Sequence, residues 1–337
     1  MPSSSKRILL SHGSGGSAMR ELIRSLFLKE FNNPILKELS DSALINYKER
    51  LAFTTDSFVV SPLWFAGGDI GKLAVCGTVN DLTMAGAVPE HLSLAFIIEE
   101  GLDYKVLERI VRSISFHAKK AGVNIVTGDL KVVEKGAADK VFINTSGIGR
   151  LVKGSRLSTK NIEPGDKIVI TGNIAQHGIA VLGRRKELDF GFDIKSDCAA
   201  LNGLIMPILK ATNSIKFMRD PTRGGVAGVL GEIAEDTGLG ILVEEKNIPV
   251  SSKVRAACEL LGIDPLYVAN EGRAIIVVNT TGANRVLGLL RKHPLGKDAR
   301  IIGDVTKKPK ARVILNTTLG THRIMDVLSG EPLPRIC

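Results

Sequence analysis

Between Lys153 and Pro164 the chain loses every hydrophobic period, and this break constrains the fold more than any other feature of the 337 residues. The stretch is polar, carries Gly154, Ser155 and Pro164, and has no face that could be buried. On each side of it, short apolar runs alternate with helix-like segments, the pattern of an α+β half. The chain therefore divides into residues 1–155, residues 156–330 and a tail at 331–337. In the first half the periodicity predicts helices over Ala18–Glu30, Asp69–Ala87 and Asp103–Ala121. Strands are expected in Leu51–Val60, His91–Glu99, Asn124–Lys131 and Val141–Gly149. The second half should hold a strand at Asp166–Thr171, helices at Ile174–Arg184 and Asp197–Thr212, and a turn at Met218–Gly225 opening a helix over Val226–Asp236. Strands at Ile241–Glu244, Tyr267–Ala269, Ala274–Val278, Arg300–Val305 and Ala311–Leu315, with helices at Val254–Leu261 and Ala283–Arg291, complete it.

Composition excludes several function classes. At 44% hydrophobic, 24% charged and only 4% aromatic, the chain reads as globular with aliphatic cores. No apolar run is long enough to span a bilayer, and Met1–Arg7 lacks the apolar stretch of a secretory signal. The net charge of +10 comes from scattered lysines and arginines without aromatic interleaving. It points to a general surface bias or to anionic substrates rather than to nucleic acid. The four cysteines, Cys76, Cys198, Cys258 and Cys337, form no CxxC pair, which argues against zinc and disulfides and for a reducing, cytoplasmic setting.

Chemistry-bearing residues gather in a few places. Ser11–Ser17 is a glycine-rich run before a helix, where the backbone at Gly15 and Gly16 can approach an anion and His12 can touch phosphate or cap a turn. Asp56, Asp81 and Asp129 sit at strand edges beside small residues, and Asp220 lies in Arg219-Asp220-Pro221-Thr222-Arg223-Gly224-Gly225. Carboxylates drawn from separate loops make a hard oxygen site suited to Mg²⁺ and nucleotide phosphates, although each could simply cap a turn. Lys72 lies in Gly68–Leu73, whose glycine spacing is wrong for a P-loop, and no GxGxxG opens a helix. Lys131 can be a solvated turn cation or a catalytic one. Glu271, in Asn270-Glu271-Gly272-Arg273, can be a hairpin carboxylate or a base raised toward neutrality by burial. His177 is equally open. The chain then ends in a free thiol, Pro332-Leu333-Pro334-Arg335-Ile336-Cys337. Released at Gly330 and stiffened by prolines, such a tail could reach roughly 20–25 Å as a swinging arm.

Together, His12–Gly16, Thr54–Ser57, Gly68–Asp81, Gly128-Asp129-Leu130-Lys131-Val132-Val133, Arg219–Gly225, Ala269–Gly272 and the Pro-Arg-Ile-Cys ending resemble the HypE family of hydrogenase-maturation carbamoyl dehydratases. That family lies within the aminoimidazole-ribonucleotide synthetase (PurM-like) superfamily, and the likeness runs from about Ser11 to Cys337. It implies a cytoplasmic homodimer of two-domain α+β subunits with a mobile tail, binding ATP mainly through the N-terminal domain. It implies that Asp56, Asp81 and Asp129 hold Mg²⁺, with Asp220, Gly15, Gly16 and Lys72 on the nucleotide. Lys131, Glu271 and Cys337 match the catalytic positions. The implied chemistry is dehydration of S-carbamoyl-Cys337 to a thiocyanate. The carbamoyltransferase HypF is then the donor, and an iron-bearing HypC–HypD complex receives the cyanide. Leu130 departs from the family pattern, which has threonine there.

The competing readings are a selenophosphate synthetase, which would carry a cysteine or selenocysteine in its glycine-rich start, the purine enzyme, which needs no terminal cysteine, and a non-enzymatic assembly factor docking through its tail.

Overall fold

The computed structural model describes residues 7–13, 17–37, 45, 47–185, 188, 190–326, 333 and 335–337. The first half begins with α1 (Ser17–Leu22), which runs through a π-helical stretch at Ile23–Phe27 into α2 (Leu28–Phe31), with a further turn, α3 (Pro34–Lys37). Strand β1 (Leu51–Phe58) follows, then a small hairpin of β2 (Trp64–Phe65) and β3 (Gly68–Asp69). Asp69 caps α4 (Ile70–Met84) by accepting the Lys72 N–H, as a short carboxylate at a helix start does well. The helix is small-residue-rich and buried almost all round, so it sits between layers rather than on the surface. The amphipathic α5 (Tyr104–Ala121) starts at the Asp103 cap and stops at Gly122, which turns left-handed. Together α4 and α5 cover one face of a sheet ordered β1-β6-β4-β5, built from β4 (Ala87–Glu99), β5 (Asn124–Val133) and β6 (Val141–Leu151). Alternation along β1 and β4 leaves the other face open, with Phe53 70% and Ile97 45% exposed.

Beyond the polar break, β7 (Lys167–Ile170), α6 (Gln176–Arg185), α7 (Asn202–Ala211), β8 (Ile215–Arg219), α8 (Gly225–Thr237) and β9 (Gly240–Glu244) open the second half. Helix α9 (Ser252–Leu261), β10 (Ile275–Val278), α10 (Ala283–Arg291), β11 (Arg300–Thr306), β12 (Val313–Asn316) and β13 (His322–Ile324) follow. The sheet runs β13-β12-β9-β11-β7-β10-β8, with only β12–β9 parallel. All four residues of β10 are buried because both faces are covered. Ile275 and Val277 join an apolar cluster continuous with the first half, while Ile276 and Val278 pack with Leu204, Ile208 and Val286 under α7 and α10. This is the α+β architecture of mixed sheets and flanking helices expected from the element order.

Three local expectations fail. Tyr267–Ala269 is no strand: Pro265–Tyr267 forms a 3-10 turn capped by Asp264. Residues 197–201 are not helical and α7 begins only at Asn202, with Asn80 taking the Ala199 carbonyl and the Leu201 N–H. Strand β8, hidden by the basic Lys216 and Arg219, precedes the Asp220 turn. No helix among the described residues is long and apolar enough to cross a membrane.

Candidate active site

Helix α4 and strand β1 approach so closely at Gly77 that a Cβ there would meet the Phe58 ring at 2.8 Å and Asp56 Oδ2 at 3.5 Å. Glycine at this point lets the two elements bring their carboxylates together. The Thr54 hydroxyl donates to Asp81 Oδ2 at 2.8 Å, fixing the α4 carboxylate against β1. One residue earlier, fully buried Asn80 works as a clamp. Its Oδ1 accepts the Leu201 N–H at 2.8 Å, and its Nδ2 donates to the carbonyls of Ala199 at 3.0 Å and Glu271 at 3.2 Å. The Asn-Asp pair thus splits its work, Asn80 joining the two halves and Asp81 facing the site.

The second half delivers Asp220 and Glu271 to the same place. Gly225 is left-handed, and a Cβ on it would strike the Leu266 carbonyl at 2.5 Å, so the 266–270 loop lies directly against the start of α8. Asn270 then donates its backbone N–H to the Pro221 carbonyl at 3.0 Å. Glu271 is 2% exposed, its N–H bonds Asp197 Oδ1 at 3.2 Å, and its Oε1 has no hydrogen-bond partner. Asp197 is in turn paired with Arg273 at 3.5 Å. A side chain at Gly272 would meet the Asp197 carbonyl at 1.9 Å, which explains the glycine after the glutamate.

These acids share one electrostatic environment. Burial raises the Asp56 carboxyl above its ordinary range, and burial with the nearby Asp56 charge raises Asp81. Burial, then Asp81, pushes Asp220 up to about 7. Burial raises Glu271 well above its ordinary range, with Asp220, Asp197 and Asp56 adding to it. The nearest cations are Arg223, 3.8 Å from Asp56, and Arg219. Such a set is short of positive charge, and a divalent cation bearing phosphate oxygens would relieve it. Among the described residues, no three His, Cys, Asp or Glu side chains converge closely enough to hold an ion unaided. The donor set fits a cation whose remaining ligands come from a nucleotide.

Asp129 and Lys131 lie elsewhere. Asp129 pairs with Ala95 and Lys131 with Ile97, on the open face of the sheet, whereas Asp56 points to the α4 side. Strand β5 is also three places from β1, about 14 Å at ordinary strand spacing. On that face Lys131 Nζ pairs with Asp129 Oδ1 at 3.1 Å. Leu130, between them, points inward and is 3% exposed. Lys72 donates to the Gly67 carbonyl at 2.8 Å and acts electrostatically on His177 and Cys198 rather than on the acids. His12 closes its own turn through the Leu9 N–H at 3.0 Å. Gly15 and Gly16 fall outside the described residues, as do Gly330–Pro332 and Pro334 of the tail.

The end of the tail is folded back onto the body, along the segment that follows β1. The Val59 N–H donates to the Cys337 carbonyl at 3.0 Å and the Ser61 N–H to the Arg335 carbonyl at 3.4 Å. Cys337 therefore lies against the residue three places beyond Asp56. Arg335 pairs with Asp139 at 2.9 Å, and Ile336 is 1% exposed. Sequence reasoning missed Asn80, Asp197, Arg273 and Arg223 as parts of the site. Asn80 and Arg223 stood inside quoted motifs without a role, and Asp197 carried no local signal at all.

Comparison with known proteins gives a consistent result. Residues 39–151 match the AIR synthase related protein N-terminal domain, and residues 163–316 match the C-terminal domain of the same group. The chain is 50% identical over 333 residues to the carbamoyl dehydratase HypE of Rhizobium leguminosarum bv. viciae, covering 98% of this chain and 95% of that one. A crystal structure of the hydrogenase maturation protein HypE in complex with ATP superposes with a TM-score of 0.95 at 46% identity, over 98% and 99% of the two chains. The crystal structure of a HypE–HypF complex matches with a TM-score of 0.81 at 50% identity, over 91% and 99%.

Proposed function

The chain belongs to the HypE family of carbamoyl dehydratases, built from paired AIR synthase related domains, and we propose that Cys337 is the residue on which its reaction takes place. It is an ATP-dependent carbamoyl dehydratase of hydrogenase maturation. The observation that carries the residue-level reading is Glu271: a carboxylate at 2% exposure, with an unpartnered oxygen, in a cluster that raises its proton affinity toward that of a working base.

A HypF-type carbamoyltransferase loads the Cys337 sulfur, giving S–C(=O)–NH₂. Amide oxygen leaves poorly, so the carbamoyl oxygen attacks the γ-phosphorus of ATP and ADP departs. Glu271 accepts one nitrogen proton, and as the C–O bond breaks the departing phosphate takes the other, leaving S–C≡N. Asp56, Asp81 and Asp220 would hold Mg²⁺ with the phosphates, and the ion when bound supplies charge neutralisation. The chain's own contribution is placement: β1, α4 and the 220–225 turn hold the acids, and the docked tail anchors the chain end on Val59, three residues beyond Asp56, from where the sulfur must reach them. Passing cyanide to an iron-bearing HypC–HypD complex cleaves the S–C bond with two electrons, which that complex must supply and which return Cys337 to a thiolate; for this the tail must leave its dock.

Asp129 and Lys131 enter this reading through a second copy. They share the open sheet face with exposed Phe53 and Ile97, an apolar surface suited to a homodimer. A partner packed there could bring Lys131 of one subunit to the acids of the other, where it steadies negative charge. Family kinship supports a cytoplasmic enzyme.

The test is the mass of the C-terminal peptide. Carbamoyl donor should add a carbamoyl group at Cys337, and ATP should then remove the elements of water. Loss of both changes in Cys337→Ala, with ATP binding retained, is expected. Both changes persisting on another cysteine would overturn the reading.

A further inference from the structure

Helix α6 places one fully buried histidine, His177, directly under the tail. Its Nε2 lies 2.9 Å from the Ile336 carbonyl and its Nδ1 2.8 Å from Ser196 Oγ, while the Phe65 ring packs edge-on against it at 5.3 Å. A carbonyl can only accept, so Nε2 carries the proton and donates it. Nδ1 then accepts from the Ser196 hydroxyl, whose oxygen also takes the Cys198 N–H at 3.0 Å. Burial lowers the proton affinity of the imidazole, in keeping with this neutral form. Nδ1 keeps its Ser196 partner throughout, whereas Nε2 is satisfied only while the tail is docked. Undocking leaves a buried donor with no partner, a state proteins avoid.

We propose that His177 is the positioning residue of the acceptor tail, holding the Ile336 carbonyl so that Cys337 is set against Val59. The inference rests on the reading that Cys337 carries the carbamoyl group. His177 touches neither substrate nor nucleotide and acts through Ile336. Because its partner is a backbone carbonyl, it fixes the register of the chain end and not the identity of a side chain. Arg185 reinforces the same register by donating to the carbonyls of Ser61 and Arg335. On the other side of Ser196, Asp197 holds the Glu271 backbone, so tail dock and base are anchored on adjacent residues.

Two variants test it. In His177→Ala the uncarbamoylated Cys337 should react with iodoacetamide about five- to tenfold faster, the shift expected for one lost hydrogen bond. Single-turnover dehydration of the carbamoylated tail should fall while the ATP dissociation constant stays unchanged. His177→Gln, whose amide N–H can reach the same carbonyl, should restore most of both. Alkylation needs neither ATP nor donor. A changed alkylation rate in a parent protein that never dehydrates its tail would sink the dehydratase reading and keep the dock.

A third measurement does not depend on the variants folding. Truncation after Leu333 should shift the ¹⁵N resonance of His177 away from the Nε2–H tautomer and leave the other histidines unmoved. Parent-rate alkylation in His177→Ala, equal defects in the Gln and Ala variants, or an unmoved resonance would each overturn the proposal.

Discussion

The two faces of the N-terminal sheet treat acidic residues in opposite ways. On the α4 side, Asp56 and Asp81 meet Asp220 and Glu271 in a buried group short of cations, and every one of the four has its proton affinity raised. On the open side, Asp129 stands in solvent at 55% side-chain exposure with Lys131 as its partner. An exposed pair of this kind contributes little by itself, since water screens it. A buried group of like charges costs stability and persists because something else uses it. On the proposed reading the α4 side is a site within one chain, whereas the open side needs another surface to become one.

The sharpest way to break the comparison is Glu271→Gln. Removing the base should lower dehydration about 10²- to 10⁴-fold while ATP still binds. Stability should move the other way. The folded Glu271 holds its proton above the unfolded value of about 4.3, so the folded state loses stability as pH rises from there through the raised folded value. Glutamine never ionises, and the variant's Tm advantage should therefore grow with pH from about 4.3 upward. Thermal melts across pH 4–8 check this; an advantage that shrinks with pH would mean the carboxylate is stabilised rather than strained.

Next in size is Asp81→Asn. It retains the Thr54 hydrogen bond through its amide oxygen but loses the charge, so ATP turnover should fall roughly 10- to 100-fold, the range for a charge-assisted contact. The deficit should ease at high Mg²⁺. Turnover equal to the parent at limiting Mg²⁺ would remove Asp81 from the ion.

The open face is tested by mixing. Lys131→Ala should reduce dehydration about tenfold, through loss of one cation on developing charge. Glu271→Gln and Lys131→Ala proteins, mixed and allowed to exchange subunits, should regain activity if each site draws Lys131 from the partner. If both residues serve the same chain's site, every subunit in the mixture stays defective and no activity returns.

How much of this was legible in the sequence varies by residue. Hydrophobic period located the long helices well, and the structure ends them at the Asp69 and Asp103 caps and at Gly122, which local rules also favour. Tyr267–Ala269 was misread because its apolar residues fill a gap against α8 without joining a ladder. Motif context singled out Asp56, Asp81, Asp220 and Glu271, and these four do converge. It could not show that Asp129 belongs to the opposite face, because face assignment depends on register across β4 and on a shift in the β4–β5 pairing between Leu92 and Ser93. Nor could it find the Asn80 clamp or the His177 dock, whose partners lie more than a hundred residues away in sequence.

The smallest expected effect on activity comes from Leu130, where the family resemblance implies threonine. It lies between Asp129 and Lys131 in sequence but faces inward, opposite Phe96 and beside Met19 and Phe27. A threonine there would remove apolar area from a cavity wall and place a hydroxyl among Met19, Ile23 and Phe27. Leu130→Thr should therefore destabilise the fold by about 1–3 kcal/mol, from lost burial and a poorly solvated hydroxyl. Because the side chain points away from the face that carries Asp129 and Lys131, turnover per folded molecule should stay at the parent level. Urea melts and ATP titrations on the one variant separate the two effects. A rise in ATP affinity with unchanged stability would place position 130 on the nucleotide, and would move that part of the site from the open face to the cavity beneath α1 and α2.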